Sequence, residues 1–80
     1  MSLDEIKEKL IMIIERGSGM PNIRPDMDLI LDIGLDSIGY FILIETAEKE
    51  FSVKFSSQDI FTDVTTVEAL SLKIWNLMND

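Results

Sequence analysis

The chain contains no cysteine and no histidine. The first absence excludes disulfides, thiolate metal sites and a cysteine nucleophile. The second removes the usual general base and the commonest metal ligand. No stretch approaches the roughly 18 apolar residues that would span a membrane. The opening "MSLDEIKEKL" has acids where a secretion leader has bases, so the expected location is the cytoplasm. Basic residues are also missing from one long stretch. Between Pro25 and Glu48 lie six acids (Asp26, Asp28, Asp32, Asp36, Glu45, Glu48) and no lysine or arginine. In residues 1–24 four acids and four bases cancel, so the net charge of −8 arises entirely from residue 25 onward. Such a field repels nucleic acid and anionic membrane and attracts basic protein surfaces. For charge alone, solubility is the better explanation.

What is present is enough for one small domain spanning residues 1–80. At 46% hydrophobic the chain is too apolar for disorder, although its length permits only a thin core. Ser2 and Glu5 have the spacing of a capping box, which predicts a helix starting at Leu3. Leu3, Ile6, Leu10, Ile13 and Ile14 then share one face, and Gly17 and Gly19 end the helix. Residues 17–35 hold three glycines and both prolines and read as a long loop, pinned to the core by Ile23, Leu29, Leu31 and Ile33.

"SIGYFILIETAEKEF" begins with β-favouring residues but continues in helix formers, and its length exceeds a typical strand. With Asp36 as N-cap it predicts a helix from Ser37 to about Glu50. Phe41, Ile44, Ala47 and Phe51 face inward, and Ile38, Ile42, Glu45 and Lys49 face outward. A brief helical turn is expected near Ser57 to Phe61. Thr65 and Glu68 suggest a second capping box, opening a last helix with Val67, Leu70, Ile74, Leu77 and Met78 inward. Trp75 and the methionines read as core or core-rim packing. The expected fold is all-α: a small antiparallel four-helix bundle, three helices long and one short, with a long loop between the first two.

Asp26, Asp28 and Asp32 invite a calcium-loop reading that fails on spacing. Ile30, Leu31 and Ser37 stand where an EF-hand loop needs an oxygen ligand, a glycine and a glutamate. No metal site is expected. Hydrolytic chemistry on Ser37 would need a base, and no lysine after Arg24 has a spacing that recommends it. The chain is not read as an enzyme. Ser37 instead occupies the first helical position after its cap, where backbone N–H groups are unpaired and an anion on the hydroxyl would be favoured. Taken alone, aspartate followed by serine is an ordinary helix start.

The wider segment "DLILDIGLDSIGYFILIETAEKEFSVKF" resembles the acyl carrier and peptidyl carrier family. Ile33-Gly34-Leu35-Asp36-Ser37-Ile38 is similar to that family's attachment segment. Glu48-Lys49-Glu50-Phe51 is similar to the end of the following helix, and Thr65 to Leu70 to the opening of the final one. The resemblance implies a bundle whose Ser37 receives 4′-phosphopantetheine from coenzyme A, through a separate phosphopantetheinyl transferase. It implies that Asp36 is both cap and transferase contact. The arm's thiol would then hold cargo as a thioester and present it to loading and condensing enzymes.

The resulting expectation is a stand-alone, monomeric acyl carrier with Ile38, Ile42 and Glu45 as its partner contacts, serving fatty acid or polyketide biosynthesis. An aminoacyl, peptidyl or D-alanyl carrier is the alternative within the family. A helical interaction module with a purely structural Ser37 is the alternative outside it. Where many fatty-acid carriers have acids two and five residues after the serine, this chain has Gly39 and Ile42. That departure points to a dedicated pathway as much as to general fatty acid synthesis.

Overall fold

The computed structural model describes residues 1–62 and 65–79, with residues 61 and 62 described as backbone. Four helices follow in order: α1 (Leu3–Ser18), α2 (Ser37–Phe51), α3 (Ser57–Thr62) and α4 (Val67–Met78). They form the expected four-helix bundle, and among the described residues none of its helices is long and apolar enough to cross a membrane.

α1 begins as its sequence dictates. The Ser2 hydroxyl accepts from the Glu5 N–H and the Glu5 carboxylate accepts from the Ser2 N–H, which closes the capping box. These bonds favour the charged Glu5 and lower its pKa. Gly17 does not end the helix. The chain continues through Ser18 to Gly19, which takes the left-handed cap conformation at φ 72°. Ile6, Leu10 and Ile14 are buried, Ile13 packs against the core and Leu3 is half-buried.

The long loop is fastened from both sides. Ile23, Leu29 and Ile33 are buried, and the Glu15 carboxylate accepts from the Ile23 N–H at 3.2 Å. Across from it the backbone bonds to the start of α4. Leu29 N–H donates to the Thr65 carbonyl, Val67 N–H to Met27 and Glu68 N–H to Pro25. Leu31 departs from expectation: it is 85% exposed rather than buried. The Asp28 carboxylate accepts from the N–H groups of Ile30 and Leu31, and this local turn lifts both side chains into solvent.

The same loop pairing corrects the α4 start. Because the Thr65 carbonyl is held by Leu29, the cap moves one residue on. Thr66 accepts from the Ala69 N–H at 3.0 Å, while Glu68 reaches Lys7. The Thr65–Glu68 capping box is therefore not formed. Val67, Leu70 and Ile74 are buried as expected, and so is Ser71, whose hydroxyl donates to the Val67 carbonyl. Leu77 is half-buried, whereas Met78, placed inward by its spacing, and Trp75, expected in the core or at its rim, both lie in the exposed range. Met1 and Met12 are also exposed rather than packed.

α2 differs from its sequence reading by a rotation of its buried face. Ile44, Ala47 and Phe51 are buried, but Leu43 joins them and Phe41 is 42% exposed. α2 runs antiparallel to α1. Lys9 pairs with Glu50 at one end, and Gly17 stands across from Gly39 at the other. This turns Leu43 towards α1 and leaves Phe41 outside.

Candidate functional site

The N-terminus of α2 is built by the loop that precedes it. Gly34 sits at φ 84°, a left-handed conformation that a side chain would strain, and it turns the chain so that the Leu35 N–H reaches the Leu29 carbonyl at 3.1 Å. Asp36 then takes extended backbone and caps the helix, its Oδ1 accepting from the Gly39 N–H at 2.7 Å. Its carbonyl accepts from the Tyr40 N–H.

Gly39 is a site residue that sequence reasoning missed. A Cβ there would lie 3.2 Å from Asp36 Oδ1 and 3.5 Å from Leu35 Cδ2. The missing side chain leaves room for the short cap bond. Its signal in the sequence is a glycine three residues after an N-cap, a position where the family resemblance marks only a departure.

Ser37 is the first residue of α2 and is exposed. Among the described residues no hydrogen bond engages its hydroxyl, and none takes the N–H groups of Ser37 and Ile38. Two bare donors and the positive end of the helix dipole therefore surround an unengaged hydroxyl. That arrangement fits a phosphate ester on Ser37.

Around this point the helix presents apolar surface. Ile38 is 70% and Ile42 59% exposed, with Glu45 and Lys49 exposed beyond them. All four expected outward residues thus face solvent, and Phe41, Ile30 and Leu31 add to the exposed apolar surface. Tyr40 points the other way. Its hydroxyl donates to the Ile60 carbonyl at 2.8 Å and ties the first turn of α2 to α3, while burial pushes its phenol pKa up. The acids that suggested calcium are otherwise employed: Asp28 holds Ile30 and Leu31, and Asp32 accepts from the Asp28 N–H.

The profile of the phosphopantetheine attachment-site family matches residues 8–74. This chain belongs to that family. Its cofactor is accordingly 4′-phosphopantetheine, held covalently, and the protein is a carrier rather than an enzyme. Family membership also implies a transferase that installs the arm and biosynthetic enzymes that use it. Among solved structures, a Mycobacterium tuberculosis chain described as an acyl carrier protein is similar, with a TM-score of 0.78 and 29% identity. The alignment covers 88% of this chain and 97% of that one. No curated protein sequence matches.

Proposed function

We propose that the protein is an acyl carrier in which Ser37 bears the phosphopantetheine arm. The arm supplies a terminal thiol on which acyl groups ride as thioesters between enzymes. The observation that carries this reading is the exposed, unengaged Ser37 hydroxyl at a helix start whose first two N–H groups are bare. The likeness to an acyl carrier over nearly that protein's whole length supports the acyl assignment. Asp36 has two roles in this account. It holds the helix end in place through Gly39, and its exposed carboxylate offers the transferase a charged contact.

Partner enzymes dock on the outer face of α2. Ile38 and Ile42 form the apolar centre and Glu45 part of an acidic rim, which suits a partner surface with an apolar pocket and basic edge. The net charge of −8 on each copy opposes self-association and supports a monomeric carrier. The test is intact mass after incubation with coenzyme A and a broad-specificity phosphopantetheinyl transferase. Wild type gains one arm and Ser37→Ala gains none. A wild-type mass that stays unchanged under conditions that load a control carrier overturns the reading.

A further inference from the structure

A groove runs between the C-terminal half of α1 and α2, with Ile13 and Leu43 among its walls. Leu35 and Gly39, which flank Ser37 in the chain, line it from the α2 side, and Arg16 and Gly17 line it from α1. Arg16 is exposed, and among the described residues its side chain makes no ion pair and no hydrogen bond.

The chain has seven bases. Lys7, Lys9, Arg24 and Lys73 are paired with Glu68, Glu50, Asp26 and Asp59, which leaves Arg16, Lys49 and Lys54. Lys49 lies about 18 Å along α2 from Ser37, at ~1.5 Å per residue, and Lys54 lies beyond the end of that helix. Arg16 is thus the base, unpaired among the described residues, that shares a groove with the neighbours of Ser37. The head of α2 can draw a cation only from another element, because no base stands between Pro25 and Glu48. The exposed Asp36 carboxylate directly precedes Ser37, and a phosphodiester on Ser37 adds a second negative charge beside it.

Two glycines keep the space between these groups open. Gly39 offers no side chain, and a Cβ built on Gly17 meets nothing within 4 Å. Gly17 sits inside α1, where glycine is less stable than alanine, and the left-handed turn is made later by Gly19. Neither backbone conformation nor close packing requires it.

We propose that Arg16 is the counter-ion of the arm, its guanidinium holding the phosphodiester that joins pantetheine to Ser37. The inference rests on the carrier reading of Ser37 and adds a residue from another helix that draws the root of the arm towards α1. A guanidinium suits the task, since its fixed fork of donors matches phosphate oxygens and stays charged at any working pH. The pair is exposed to solvent, so its strength is modest and salt screens it. Arg16 also stands in the last turn of α1, where a base complements the helix dipole. That second role is the same with and without the arm, and the difference between the two states isolates the first.

The test uses wild type, Arg16→Gln and Arg16→Lys, each before and after a transferase attaches the arm from coenzyme A. Intact mass comes first: a wild type that takes no arm is a failure of the carrier reading, seen before Arg16 is tested. In NMR spectra the Arg16 Nε–H of wild type should shift on arm attachment, and about 1 M sodium chloride should abolish the shift. The phosphorus resonance of the arm should move in Arg16→Gln and return part of the way in Arg16→Lys. At low salt, attaching the arm should lower the melting temperature of Arg16→Gln by about 2–4 °C more than that of wild type. An equal effect of the arm on both proteins, or a phosphorus resonance that Arg16→Gln leaves in place, overturns the proposal. Should Arg16→Gln fold poorly or take no arm, wild type alone decides. A salt-sensitive shift of its Arg16 Nε–H on arm attachment supports the pair, and an unchanged resonance overturns it.

Discussion

Ile42 and Leu43 are neighbours in sequence and opposites in environment. Ile42 is largely exposed and Leu43 is buried. Leu43→Ala should therefore cost about 2–5 kcal/mol of stability through the lost contacts and the cavity left behind. Ile42→Asp should change stability by no more than about 0.5 kcal/mol. Urea unfolding of the two variants checks the pair, and comparable losses would show that the helix register is misplaced. Ile42→Asp should also accept the arm normally while weakening its partner enzymes by at least about 1 kcal/mol. Sequence periodicity placed Ile42 correctly but exchanged Phe41 for Leu43. In so apolar a helix the buried face is chosen by the neighbour, here α1, and not by contrast with polar positions. Leu31 was misjudged for a related reason: Asp28 was read as a charge, whereas its carboxylate shapes the turn that turns Leu31 outward.

At the scale of elements, α1 was fully legible at its start because the capping box is local, with donor and acceptor three residues apart. The start of α4 was legible only to within a residue. Its decisive contact joins Thr65 to Leu29 across the molecule, and no local spacing encodes that. α3 is the shortest helix and depends on fastenings. Ser56 and Asp59 bond reciprocally at its N-terminus, Lys73 pairs with Asp59 at 2.6 Å, and Tyr40 reaches Ile60. The hydrogen bonds from Lys73 and Ser56 lower the Asp59 pKa from its ordinary 3.8 to about 2. A depressed folded-state pKa contributes stability that is fully present above the unfolded value and is lost as pH falls through the folded one. Wild type should thus lose stability more steeply between pH 4 and pH 2 than Asp59→Asn does. Parallel acid-unfolding curves for the two proteins would contradict the role given to this pair.

For the whole molecule, fifteen acids face seven bases and the excess lies after residue 24. The four ion pairs among the described residues are largely surface contacts and offset little of it. Moderate sodium chloride should raise the melting temperature by screening the repulsion. A melting temperature that falls instead would show that these pairs outweigh it. The bundle, its long loop and the exposed serine at the head of α2 were all readable from the sequence. The groove between α1 and α2 was not, because its lining residues, Ile13 and Leu43 among them, come from separate elements. The central claim is that one hydroxyl, Ser37, carries the arm. It is tested most directly by digesting the transferase-treated protein and locating the added group by fragment mass. The account predicts a single phosphopantetheine on the peptide containing Asp36 and Ser37, at Ser37. An arm on another hydroxyl, such as Ser52 or Ser57, or no arm at all, would contradict it.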